Sequence, residues 1–117
     1  LEVSLHTLAR QVNHQTLITI GQFNEYQLQV FVDGGSPNSF MHGRVSKKFH
    51  LDILPTRPFR VLVGNGQIVV CSNKVLGVSL LLQQHPFCID FFLSPIEGAN
   101  VVLGIQWLET LESIITN

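Results

Sequence analysis

Short runs of alternating apolar and polar residues, broken by turn signals, dominate this chain and leave room for little but a β-rich fold. Successive side chains on a strand point to opposite faces, so this alternation marks half-buried strands. Leu17-Ile18-Thr19-Ile20-Gly21 leads through Gln22-Phe23-Asn24-Glu25-Tyr26, with Asn24-Glu25 as a hairpin tip. Leu28, Val30 and Val32 then alternate with Gln27, Gln29 and Phe31, a strand half-polar at its start and buried on both faces at its end. Phe59-Arg60-Val61-Leu62-Val63 and Ile68-Val69-Val70-Cys71 flank Gly64-Asn65-Gly66-Gln67, the strongest hairpin signal present. Further strands are expected over Lys74 to Leu82, Phe87 to Leu93 and Asn100 to Leu103, with His85-Pro86 turning between the first two.

Two helices complete the reading. Ser39 is expected to cap a short helix reaching about Leu51, with Phe40, Val45 and Phe49 inward. Gly43 weakens that helix by about 1 kcal/mol relative to alanine. Pro55 and Pro58 bracket a short extended connection, and Ile105 to Leu111 closes the chain as a helix after Gly104. The expected architecture is a mainly β, closed or nearly closed domain spanning residues 1–117, with roughly seven short strands.

Composition narrows the function. Charged residues make up 13% of the chain, about half the usual share, so a second subunit or a longer parent chain is expected to cover surplus apolar surface. The formal net charge of −1 gives no electrostatic footprint for nucleic acid or an anionic membrane. Arg44, Lys47 and Lys48 read as the solvated face of a helix. No apolar run reaches the roughly 18 residues of a membrane span, and Leu1-Glu2-Val3 lacks the basic and apolar regions of a signal peptide, its missing Met suggesting an excised fragment. Cys71 and Cys88 read as buried free thiols, too few for a zinc site, and His6, His14, His42, His50 and His85 are dispersed. No metal and no organic cofactor is implied.

One carboxylate differs from the rest. Asp33 is delivered by the apolar strand Val30-Phe31-Val32 into Gly34-Gly35-Ser36. Glycines directly after an acid let backbone N–H groups approach its oxygens, which fixes the carboxylate at a strand end as acid–base chemistry requires. An Asp-Gly turn without chemistry is the plainer reading of the heptapeptide alone. The other acids explain themselves as surface charge. Glu25 sits in a hairpin tip, Asp52 follows a helix and Glu97 lies in a loop. Glu109 and Glu112 fall on the closing helix, and strand alternation points Asp90 outward. A lone carboxylate does little hydrolysis, whereas two sharing a proton can divide the labour. With one such loop per chain, a second copy across a twofold axis is the economical source of the partner.

The order and spacing of three segments resemble the retropepsins. These are Asp33-Gly34-Gly35-Ser36, a glycine-tipped hairpin about thirty residues later, and Val101-Val102-Leu103-Gly104 running into Ile105-Gln106-Trp107-Leu108. More narrowly, with Asn38-Ser39-Phe40-Met41 and Ser46-Lys47-Lys48-Phe49, the chain is similar to the protease domain of plant gypsy-type LTR retrotransposon polyproteins over roughly residues 3 to 112. The resemblance implies a retropepsin-like closed barrel or sandwich that acts as a homodimeric aspartic endopeptidase. It further implies a polyprotein substrate, bound extended, and an intracellular, cytoplasmic location within retrotransposon particles or the polyprotein. Asp33 matches the catalytic aspartate and Gly35 the glycine of the Asp-Thr/Ser-Gly signature. Val63, Gly64, Asn65 and Gly66 fall where the family has its flap, and Val102, Leu103 and Gly104 where it supports the active loop. Two positions depart from the pattern. Gly34 stands where the family carries Thr or Ser, whose hydroxyl bonds across the dimer axis, and Gln106 stands where this element group carries Asp. Losing that hydroxyl implies weakened activity, or a noncatalytic dimerisation or binding module. Ser36 is the candidate to replace it in part.

Overall fold

The structure, a computed structural model, describes residues 17–62, 66–96 and 98–116. Among these residues, seven strands and two helices follow one another as β1 (Leu17–Phe23), β2 (Tyr26–Val32), β3 (Phe40–Met41), α1 (Gly43–Lys48), β4 (Leu54–Leu62), β5 (Ile68–Leu82), β6 (His85–Leu93), β7 (Val101–Leu103) and α2 (Ile105–Thr116). Six strands close into a barrel in the order β1-β2-β7-β3-β6-β5, because the end of β5 returns to pair Gly21 with Leu82 and Gln22 with Leu81. The mainly β closed barrel expected from the alternation is therefore present.

The core follows from that alternation. Leu28, Val30 and Val32 of β2 point inward against Leu80 and Leu82 of β5, Ile89 and Phe91 of β6, and Val101 and Leu103 of β7. Trp107, Leu108 and Leu111 of α2 close one end, and Trp107 meets Phe87 edge-on at 5.4 Å. The inward rhythm of β5 slips by one residue between Val75 and Val78, where the pairing with β6 is irregular. Gly77 adopts φ +65 there and its N–H donates to Asp90 Oδ1 at 2.8 Å. An extra residue in one strand must be absorbed locally, and glycine does so without a Cβ penalty. Asp90 is exposed, as its strand position implied.

Several local expectations are corrected. Ser39 does not cap a helix: Phe40 and Met41 form β3, and α1 starts at Gly43 with His42 at its N-cap, whose Nδ1 accepts the Arg44 N–H at 3.1 Å. The β3 backbone is held from both sides by β6 and β7, and this outweighs a local capping preference. Helix α1 ends at Lys48, short of Leu51. His50 follows in the left-handed region at φ 53, and Phe49 is half-buried between Phe23 and Tyr26. The turn between β5 and β6 is Gln83-Gln84, both with positive φ, while His85 and Pro86 already belong to β6. Ile68 to Leu82 is a single strand of 15 residues, and the segment around Pro55 and Pro58 lies within β4. Helix α2 runs on to Thr116. Cys71 is buried as expected, but Cys88 is exposed, on the outward face of β6; both are free thiols.

Strand β5 changes partners along its length, from β4 to β6 and, at its end, β1. Residues 68–73 pair with β4 alone, and pairing with β6 begins only at Lys74, opposite Phe92. The upper parts of β4 and β5 therefore leave the barrel as a two-stranded arm. Its foot is irregular, the β4–β5 register shifting between Pro55 and Phe59. Replacing Phe91, 1% exposed in the middle of the core, by alanine is expected to cost about 3–5 kcal/mol of stability, read as a lower urea midpoint at unchanged slope.

Candidate active site

Parallel strands β2 and β7 end side by side, with Val32 paired to Leu103. The Asp33 N–H continues this pairing by donating to the Leu103 carbonyl at 2.8 Å. Just beyond, the chain turns: the Ser36 N–H donates to the Asp33 carbonyl at 3.1 Å and the Gly35 N–H to Asp33 Oδ1 at 2.9 Å. One carboxylate oxygen is thus fixed by the loop's own backbone, and Oδ2 has no protein donor among the described residues. A Cβ at Gly35 would stand 3.3 Å from Asp33 Oδ1, which explains a small residue at that position.

The loop rests on the start of α2. The Ile105 N–H donates to the Ser36 carbonyl at 2.8 Å, and the Gly104 N–H to the Ser39 hydroxyl at 3.0 Å, a buried bond. Gly104 is pressed so closely into the loop that a Cβ there would overlap the Asn38 carbonyl and lie 2.6 Å from that of Ser36. Ser36 Oγ donates to the Asn38 carbonyl at 2.7 Å. Its hydroxyl proton is thus engaged inside its own loop. Gly34 is half-buried in the turn.

The arm of β4 and β5 overhangs this loop and encloses a cleft of about 950 Å³. Asp33, Gly35, Ser36, Pro37 and Asn38 line one side, Phe59, Val61 and Val69 the arm side, and Ser94, Pro95 and Ile96 a third wall; Phe31, Phe40 and Val102 also contribute. The Phe59 ring meets Phe92 edge-on at 4.7 Å, which seats the foot of the arm on the barrel. Cys71, 1% exposed and paired with Phe59, lies at the same foot. Burial pushes its thiol above the ordinary value. The neighbouring Ser94 hydroxyl pulls the other way but is outweighed, and it makes no hydrogen bond of ordinary geometry.

Of the residues singled out from sequence, Asp33, Gly35, Ser36 and Val102 line this cleft, while Leu103 and Gly104 are buried beneath it. Gly66 is exposed with φ +84 at the end of the arm, and Val63, Gly64 and Asn65 lie outside the described residues, as does Glu97. Gln106 is exposed on the first turn of α2. Sequence reasoning missed Ser39 as the tie to Gly104, because nothing local distinguishes it from a helix cap. It also missed Ser94-Pro95-Ile96, which reach the cleft only through the parallel pairing of β6 with β3. Phe59, Val61 and Val69 were accessible from strand alternation alone. Among the described residues no three His, Cys, Asp or Glu side chains come together as metal ligands do.

A closed barrel, an aspartate loop braced by β7, and a projecting arm over the loop together define a retropepsin-like fold. The chain belongs to the retroviral aspartyl protease family, whose sequence pattern matches residues 4–116. Among solved structures it is similar to the retroviral protease-like domain of Ddi1 from Leishmania major, with a TM-score of 0.59, 17% identity, and coverage of 82% of this chain and 77% of that one. EIAV protease in complex with an inhibitor gives 0.58 and 18%, covering 85% and 90%. A retropepsin-like aspartic protease from Rickettsia conorii gives 0.57 and 17%, covering 80% and 78%. Comparison with curated protein sequences finds no match.

Two outcomes test this geometry. Gly104→Ala is expected to lower stability by more than about 2 kcal/mol, measured by urea unfolding, because the methyl meets backbone carbonyls that cannot rotate away. The Cys71 thiol is raised in the folded state, so the native protein holds its proton where the unfolded chain releases it. Stability is therefore full below the ordinary thiol value of 9.0 and falls as pH rises past it. Thermal melts from pH 8 to about 10.5 are expected to show that decline, and Cys71→Ala to flatten it.

Proposed function

We propose that the chain is an aspartic endopeptidase that works as a homodimer, with one catalytic Asp33 per subunit. The observation that carries this reading is the fixed Asp33 carboxylate. Its Oδ1 is held by the Gly35 N–H and its backbone by Leu103, at the floor of an apolar cleft overhung by a hairpin arm. Asp33 from each of two copies would flank one water. One carboxylate takes its proton while the other, protonated, donates to the peptide carbonyl oxygen. Gly34, Gly35 and Ser36 form the loop that orients the acid. Val102, Leu103 and Gly104 brace it from below. To Val63, Gly64, Asn65 and Gly66 we assign, from the sequence resemblance, the family's flap role of closing over the substrate and excluding water. An extended peptide would lie between loop and arm and bond through its main chain, as an added strand does. No metal or organic cofactor enters this scheme.

The substrate we assign is a retrotransposon polyprotein of the plant gypsy type, processed inside the cell, with residues 1–117 acting as one domain. The family match supports the proteolytic class, and the sequence resemblance supports the narrower substrate. No helix among the described residues is long and apolar enough to cross a membrane. Outward-facing Ile18, Ile20, Leu62, Ile68 and Val70 fit a chain that spends its working life against other protein surfaces.

A second reading is favoured by one specific observation. Position 34 has no hydroxyl, and the Ser36 hydroxyl is already donating to Asn38, so the cross-axis bond of the family lacks its usual donor. Each such bond is worth about 1 kcal/mol, and symmetry doubles the loss. On this reading the domain is a weakened enzyme or a dimerisation and binding module. An unstructured peptide mixture incubated with the protein from about pH 3.5 to 7 is expected to be cut best at the acid end, since a carboxylate pair shares one proton. Asp33→Asn is expected to abolish cleavage and Gly34→Ser to raise it, with sedimentation showing a dimer. A monomer at every concentration, or cleavage that survives Asp33→Asn, overturns the enzymatic reading.

A further inference from the structure

Apart from Asp33, one charged residue lines the cleft among the described residues, and it is a cation: Arg60. It sits on β4 opposite Val70, between Phe59 and Val61. Those two neighbours are half-buried and form the ceiling, whereas Arg60 alternates to the exposed side and stands on the rim. Among the described residues it forms no ion pair. A guanidinium on a rim, unpaired and carried by a long stem, can swing over an apolar edge while its head stays in water. Its planar fork is also the side chain best shaped to take a carboxylate with two hydrogen bonds.

We infer that Arg60 is a specificity-determining residue: it selects peptides with an acidic side chain at a position flanking the bound apolar segment. This rests on the reading of the cleft as a peptide site and names the class of peptide it takes. Charge complementarity fixes where the acid must lie. Next to Asp33 a second carboxylate meets like charge, so acids at the centre of the peptide are excluded. Under the arm, Phe59, Val61 and Val69 offer no polar partner, and a buried carboxylate there would be left unpaired. Only the flank beside Arg60 supplies a compensating charge. The preferred substrate thus has an apolar centre and an acid on a flank, and a twofold dimer offers one Arg60 to each flank.

The test separates this inference from proteolysis itself. Fluorescent ten-residue peptides with an apolar centre carry Glu, Gln or Lys at each flanking position in turn. Their binding to the Asp33→Asn protein is followed by anisotropy, and their cleavage by the native protein in parallel. At one position the Glu peptide is expected to bind about two- to fivefold more tightly than the Gln peptide, the range of an exposed ion pair. About 1 M salt should close that gap. Arg60→Gln should erase the preference and Arg60→Glu should reverse it toward Lys. Equal binding of Glu, Gln and Lys peptides at every position, or an order unchanged in Arg60→Glu, overturns the inference, as does binding of none of them. Glu-selective binding without cleavage by the native protein instead supports Arg60 and sinks the proteolytic reading.

Discussion

The hydrogen bond from the Asp33 N–H to the Leu103 carbonyl is the constraint on which the site depends. Its net worth is modest, about 0.5–1.5 kcal/mol, but a buried carbonyl left without a donor would cost more. It extends a parallel ladder of three residue pairs, so the acid's backbone is placed by a sheet rather than by a loop. Sheets position side chains better than loops do, because each strand is fixed by both neighbours. Strand β7 can play this part because it lies between β2 and β3, strands that the chain itself joins directly through the Asp33 loop. Asn100 sets the entrance of β7: its N–H and side-chain oxygen meet the Gln29 carbonyl and N–H at 2.8 and 2.7 Å.

From that ladder outward, each contact serves the same placement. Gly104 allows α2 to begin directly beneath the loop, and the Ser39 hydroxyl ties the far end of the loop to the same turn. The arm is held differently. Strand β5 has a partner on each side only from the foot of the arm onward, where Phe59 meets Phe92 edge-on and Cys71 is buried. The floor of the cleft is therefore built into the barrel, while its ceiling hangs from a two-stranded extension. Few buried contacts along a segment mean a lower local opening free energy, so the ceiling is the wall of the cleft that opens more readily.

How much of this was legible in the sequence depends on which signals were local. The β2 strand, its acid and its glycines could be read directly, because alternation and turn chemistry act within a few residues. The arm could be read for the same reason. The β3 segment could not. Ser39 followed by Phe40 and Val45 carries the local marks of a helix start, and only the pairing of Phe40 with Val102 and Phe92 pulls it into the sheet. The β5–β6 turn was displaced for a related reason. Gln83 and Gln84 both take positive φ, a conformation usually signalled by glycine or asparagine, so Pro86 drew the expectation two residues too far. Cys88 was assigned inward by its strand-like setting, but β6 alternates with Phe87 and Ile89 inside, which leaves the thiol on the outer face. The support of the acid by Ser39, and the Ser94-Pro95-Ile96 wall, arise from contacts across more than fifty residues of chain and have no local signature.

Strand β4 ends the sheet, with β5 on one flank and nothing hydrogen-bonded on the other among the described strands. Pro55 and Pro58 lie in it, and neither can donate a backbone hydrogen bond. An open sheet margin in a chain that is 45% hydrophobic would otherwise invite copies to polymerise side by side into fibrils. The prolines and the break in register between Pro55 and Phe59 interrupt the regular strand there, so the lower margin resists such growth. Indefinite side-by-side stacking is thereby disfavoured along that margin.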